Sequence, residues 1–326
     1  THIWNNNLKS MAILGVFPLI MLAVVWVILF MIGLDSSKEH PVTQANDLLT
    51  QYWPMITSII GIWFIISYFY HTKMIAGMAH AHPVTRKEEP ELYNLMENLC
   101  ISRGLPMPKF NIIETHALNA FASGIDRSSY TVTVTRGLLN RLAKDEVEAV
   151  LAHELVHIMN RDVRLMMVCI IFTGMLGLAA QMVWNNMRFG AVRSNRRDKG
   201  NGILFMLAVL VVLYIGYFLT IIFRLALSRR REYMADAGAV DLTKNPEAMM
   251  RALMRISGRS TIPEASGDLA FMYIENSKPF MGLFKTHPPI DQRIAAISQT
   301  MDIPIPESLP PVAPPAEQIS NDPLLT

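Results

Sequence analysis

Long apolar runs divide this chain into alternating hydrophobic and polar blocks. Four of them, 11–34, 53–70, 163–184 and 203–223, approach the roughly 20 residues that cross about 30 Å of hydrocarbon as a helix. The third carries Arg164 and Gln181 near its ends and several glycines, so a shallower or protein-buried hairpin stands beside a full crossing there. The polar block between the second and third runs, 71–162, is patterned as helix, strands, helix. In "EEPELYNLMENLCISRGL" Leu92, Leu95, Leu99 and Cys100 share one helical face, which ends near Gly104 and is stopped by Pro106. "KFNII", "NAFASG" and "YTVTVT" alternate or are β-branched, with Gly124, Asp126 and Ser128 as turn residues, and predict a short antiparallel sheet. A second helix begins around Asp145, with Val147, Val150, Leu151, Ile158 and Met159 as its apolar side.

After the fourth run, "FRLALSRRREYMADAGAVDL" leads into "NPEAMMRALMRISGR", where Asn245 and Pro246 are suited to cap and first helical position, and a last short helix accompanies "THPPIDQRIAAI". The final segment, with Pro304, Pro306, Pro310, Pro311, Pro314 and Pro315, has too little apolar surface to offset its ordering entropy and reads as a disordered tail. The expected division is an N-terminal segment 1–10, a transmembrane hairpin 11–70, the first part of a polar domain 71–162, a second transmembrane or re-entrant pair 163–223, the rest of the polar domain 224–303, and the tail 304–326. The fold class is then an integral membrane α-helical protein with an α+β domain that carries the short antiparallel sheet.

Composition agrees with life in lipid: 51% of residues are hydrophobic and 17% charged, unusual for a soluble enzyme. A net charge of +2, with no basic run interleaved with aromatics, argues against nucleic acid as a partner. The first apolar run is too long for a signal-peptide core and no small-residue cleavage pattern follows it, so it is expected to stay as an anchor. Two cysteines, Cys100 and Cys169, support neither a disulfide framework nor a thiolate metal site. Any metal must therefore use histidines and carboxylates.

Such residues occur in "AVLAHELVHIMNRD". His153 and His157 are four apart, so on a helix both imidazoles can face one cation about 2 Å away while Glu154 flanks it. Asp145 and Glu146 load the first turn with acid, as the helix dipole favours. The bland alternative is a solvated histidine pair with an incidental glutamate. Catalytic zinc takes three protein ligands and a water, and "RREYMAD" offers the third: Glu232 and Asp236 share one helical face, so one can bind metal while the other fixes the tautomer of a ligand histidine. Against this stands a plain solvated helix decorated beside Arg229, Arg230 and Arg231. Arg141, Lys144, Asp145, Asn160, Arg161 and Asp162 surround the motif and belong in water, which places the histidine helix at an interface rather than inside lipid. His71, His80 and His82 follow a membrane exit and are assigned no function.

Taken in order, "NAFASG", "AVLAHELVHIMNRD", "SRRREYMADAGA" and "THPPIDQRI" resemble the HtpX-type membrane zinc metallopeptidases, relatives of the CaaX prenyl endopeptidases; the likeness runs over about 91–297. The resemblance implies a zincin-type metallopeptidase domain holding one zinc ion per chain through His153, His157 and Glu232, with Glu154 as general base and Asp236 supporting a metal-bound histidine. It also implies that Asn119, with Ala120 and Phe121 on the same edge strand, pairs with an extended substrate, that His287 lies near the cleft as a donor to the developing oxyanion, and that Arg293 falls at the matching substrate-side arginine. The implied setting is a multi-pass protein of the bacterial inner membrane, acting on polypeptides, foremost misfolded or damaged membrane proteins. Two rival functions share the motifs: a CaaX prenyl-type processing endopeptidase, and a non-catalytic membrane sensor built on a zinc fold.

The ligands flank the third and fourth runs, so those runs must form an even number of crossings or a re-entrant pair. Lys9 before the first run and Lys73, Arg86 and Lys87 after the second, against Lys38 alone between them, put the peptidase domain in the cytoplasm. The loop after the third run opposes this, because Arg188, Arg193, Arg196, Arg197 and Lys199 would lie outside if both later runs crossed fully.

Overall fold

Apolar side chains at helical spacing build one of two units, Thr1–His71 with Leu165–Ala226; the other is Thr72–Arg164 with Leu227–Thr326. The computed structural model describes residues 15–16, 19–31, 40–190, 209–218, 230–257 and 288–309. In the first unit, helix α1 (Leu19–Met31) contributes Met21 and Val24 to a core shared with Val168, Leu176 and Ala180 and with Val209, Leu210 and Leu213 of a later helix. Helix α2 (Pro41–Met78) adds Ile60 and Phe64 at the rim of that core, and Trp26 donates to the Asn46 side chain at 2.8 Å. Several of its apolar residues, Ile59, Ile62, Ile65, Ile66 and Phe69, face outward, while Ala45 and Ile75 are buried.

The run 53–70 lies inside α2, which is the one helix among the described residues long and apolar enough to cross a membrane. The runs 11–34 and 203–223 are described only as shorter apolar helices, α1 and Val209–Phe218, and the run 163–184 lies within the helix Asp162–Gly190. The remainder of the loop rich in arginine, from 191, and the tail beyond 309 fall outside the described residues.

The second unit begins with strand β1 (His82–Val84) and helix α3 (Pro90–Arg103). Leu92, Leu95, Leu99 and Cys100 are all buried, and Gly104 ends the helix in the left-handed conformation (φ 62°), returning its N–H to the Ile101 carbonyl. Strands β2 (Lys109–Ile113), β3 (Ala120–Ser123) and β4 (Thr131–Thr135) follow. The sheet order is β1-β2-β4-β3, with β1 antiparallel to β2, β3 antiparallel to β4, and β2 parallel to β4.

The sheet is therefore mixed and four-stranded, which corrects the expectation of a short antiparallel one. Turn residues 124–130 make β3 and β4 a hairpin, but β4 inserts between β2 and β3, and insertion sets the parallel pair. What fixes it is the crossover 114–119, pinned past the end of β4: Thr135 donates its N–H to the Asn119 carbonyl at 3.0 Å, and Gly137 donates to Thr115 at 2.8 Å. All five residues of β4 are buried, so its threonines line no wet face.

The remaining helices are α4 (Arg136–Arg141), α5 (Lys144–Met159), α6 (Asp162–Gly190), α7 (Val209–Phe218), α8 (Arg230–Thr243), α9 (Pro246–Ile256) and α10 (Ile290–Met301). In α9, Asn245 caps the helix by accepting the Ala248 N–H at 3.0 Å, and Pro246 occupies the first turn. Helix α5 forms the centre of this unit, packed by β3, α3, α8 and α9.

Candidate metal centre

Helix α5 is buried on nearly every side, so its polar residues must find partners inside the fold. At its start Glu146, fully buried, accepts the Ala143 N–H at 2.9 Å and the Arg255 Nε of α9 at 2.6 Å. Arg251 of α9 pairs with Asp145 next to it. These bonds anchor the first turn and fix how far along its axis α5 presents His153 and His157.

Helix α8 meets α5 at very close range. A Cβ on Gly238 would stand 2.9 Å from both γ-carbons of Val156, so only glycine permits this approach. The close packing carries Glu232, about one and two-thirds turns before Gly238, onto the histidine face of α5.

There the three side chains converge. His153 Nε2 and His157 Nε2 are 3.1 Å apart, and the Glu232 carboxylate oxygens lie 3.6 Å and 3.5 Å from them. Ligands at about 2.0–2.2 Å from a tetrahedral zinc are separated by roughly 3.3–3.6 Å; both carboxylate distances match this, and the two nitrogens stand slightly closer together. The opposite ring nitrogens are held by carboxylates: His153 Nδ1 is 3.0 Å from Asp236 Oδ1, and His157 Nδ1 is 3.1 Å from Asp162 Oδ2. Where Nδ1–H is donated to its aspartate, each ring turns its Nε2 into the same small space as a carboxylate. Three electron-rich groups so placed call for a cation, and two imidazoles with one carboxylate suit zinc.

Electrostatics point the same way. Burial opposes protonation of His153, but hydrogen bonds to Asp236 and Glu232 outweigh it and raise its pKa to about 9. Without metal, a proton serves as the cation. Burial also disfavours the Asp236 anion, yet the Arg293 guanidinium, gripping it through Nε at 2.8 Å and Nη2 at 2.6 Å, holds its pKa below the ordinary range. Glu154 is 4% exposed, and burial raises its pKa, while His153, His157 and a hydrogen bond from the Ala122 backbone N–H pull against that rise.

The structure thus brings His153, Glu154, His157, Glu232, Asp236 and Arg293 together. Arg293 is fully buried on Asp236 in this arrangement. Asn119, Ala120 and Phe121 are buried beside α5 at the sheet edge among the described residues, with the Asn119 side chain accepting the Ala120 N–H at 2.9 Å. His287 lies outside the described residues.

Sequence reasoning missed two residues here. Asp162, expected in water, is 2% exposed and holds His157, and Arg231, which entered only in the alternative of a solvated helix, donates from Nε to Asp162 Oδ1 at 2.8 Å. A spacing of five from His157 gives no same-face signal on a helix, so only the break between α5 and α6 creates the contact.

A family model described as Peptidase family M48 matches residues 86–301. A protein of Bacteroides fragilis named "Protease HtpX homolog" is 40% identical over 309 residues, covering 90% of this chain and 96% of that protein. A "Protease HtpX homolog" of Ligilactobacillus salivarius is 37% identical over 249 residues, covering 74% of this chain and 83% of its own length. A crystal structure of S. mikatae Ste24p aligns with TM-score 0.42 and 19% identity, over 78% of this chain and 65% of that one.

Proposed function

This chain belongs to peptidase family M48 and is a metalloprotease, and on that premise we propose that it is a membrane-anchored zinc endopeptidase facing the cytoplasm and acting on misfolded or damaged membrane proteins. The chemical part rests above all on one observation: the Nε2 atoms of His153 and His157 and the Glu232 carboxylate meet within 3.1–3.6 Å while aspartates occupy both Nδ1 atoms. His153, His157 and Glu232 are assigned as ligands of one zinc ion, and Asp236 as the group that sets the tautomer of His153. Zinc in such a site lowers the pKa of a bound water and polarises the scissile carbonyl.

Glu154 is assigned as general base. Its burial raises its affinity for a proton, which suits a group that takes one from water and passes it to the leaving amine. His287 is assigned as a hydrogen-bond donor to the oxygen that gains charge.

Substrate is proposed to join the sheet at β3, the outer strand in the order given above. The Ala122 N–H is given to Glu154 and the Ala120 N–H to Asn119, so an incoming strand would be received first by the carbonyls of these residues. All of β3 is buried, so substrate reaches it in a more open arrangement of the unit. Main-chain pairing of this kind discriminates little between sequences, which fits clearance of varied damaged chains. The outward apolar face of α2, where Ile59, Ile62, Ile65, Ile66 and Phe69 are each at least half exposed, supports the membrane part of the proposal.

The test is Glu154→Gln in the full chain. Zinc content stays at wild type while turnover of an unfolded membrane substrate falls about 10²–10⁴-fold. Wild-type turnover in this variant would remove Glu154 from the chemistry.

A further inference from the structure

The metal-facing nitrogen of a histidine is aimed by whatever its other nitrogen touches. For His153 that partner is Asp236, itself gripped by Arg293. A second chain of the same kind stands on the other ligand. Helix α5 closes at Asn160, and Arg161 takes a left-handed conformation (φ 58°) before α6 starts at Asp162. Along an unbroken helix a residue five positions on would lie about 140° round the axis, out of reach. The reversal instead returns the Asp162 carboxylate to 3.1 Å from His157 Nδ1, and non-glycine residues seldom adopt that backbone conformation. The other Asp162 oxygen is 2.8 Å from Arg231 Nε, and Arg231 immediately precedes Glu232 on α8.

Resting on the metal-centre reading above, we infer that Asp162 and Arg231 are positioning residues: Asp162 sets the tautomer and aim of His157, and Arg231 holds the Asp162 carboxylate in place. One turn of α8 then supplies the third ligand and, through its neighbour, orients the second. Glu232 and His157 are set by the same rigid segment.

An ion pair that merely joined α5–α6 to α8 would support the fold without touching the metal's surroundings. The two roles separate in the full chain purified in detergent. Asp162→Asn preserves size and can still accept from Nδ1–H, but lacks the charge; Arg231→Met removes the donor, and Arg231→Lys restores a cation. Zinc affinity is read by competition with a chromophoric chelator, coordination by the visible d–d spectrum of the cobalt(II)-loaded protein, and fold by thermal unfolding in EDTA.

Asp162→Asn and Arg231→Met are each expected to weaken zinc about 10–100-fold. Both should also alter the cobalt spectrum, and Arg231→Lys should recover most of the affinity. The inference is overturned if Asp162→Asn keeps wild-type affinity and spectrum. It is equally overturned if affinity falls only in step with unfolding temperature while the cobalt spectrum stays wild type. A wild-type chain that takes up no zinc at all would instead sink the metal-centre reading, a result distinct from either.

Discussion

His153 ties metal binding to pH. Its pKa of about 9 lies above the ordinary 6.5, so its contribution to the metal-free fold is fully present below about pH 6.5 and is lost as pH rises through 9. Zinc must displace that proton. Apparent zinc affinity is therefore expected to rise about tenfold per pH unit up to roughly pH 9 and to level off beyond it. Calorimetry at pH 7.5 in buffers of different ionisation enthalpy should find about one proton released per zinc bound. Flat affinity between pH 6.5 and 9 would mean that Asp236 and Glu232 do not hold a proton on this ring. Glu154 differs in kind: it touches no ligand role, so Glu154→Gln separates chemistry from binding, as its zinc content against its turnover will record.

Between elements, the contact of α8 with α5 decides whether the ligands meet. Gly238→Ala places a methyl 2.9 Å from the Val156 γ-carbons, and overpacking of this sort typically costs about 1–3 kcal/mol. The variant should unfold at lower temperature in EDTA and bind zinc more weakly, because α8 carries Glu232. Adding Val156→Ala should recover much of both, and no recovery would mean that the strain lies elsewhere. Much at this scale was legible in the chain itself. The buried face of α3, its end at Gly104, the cap at Asn245 and the start of α5 are local patterns, and periodicity reports them. The parallel pairing of β2 with β4 was not legible, because alternation marks strands without saying which strand slips between two others. Asp162 and Arg231 escaped for a related reason: helical spacing carries no information across a backbone reversal at Arg161. The signal that remained was a polar "NRD" directly after a buried helix, which reads equally well as a solvated turn.

At the scale of the whole molecule, membrane anchoring is the expectation that rests on composition more than on packing. α2 exposes Ile59, Ile62, Ile65, Ile66 and Phe69 together, an outward apolar face that water disfavours. The full chain is expected to sediment with membranes and to resist extraction at alkaline pH. Replacing Ile62, Ile65 and Ile66 with serine should shift a measurable share into the soluble fraction, and unchanged retention would shift the anchor to other segments. The two helices to which the metal ligands are assigned sit on either side of the later apolar runs in sequence, so the proposal requires the fold to bring them together around one ion. Metal content of purified Glu232→Ala against wild type, measured after dialysis at fixed free zinc, tests this most directly. Wild type should hold one zinc per chain and the variant should lose most of it, whereas a full zinc complement in Glu232→Ala would contradict a metal shared between α5 and α8.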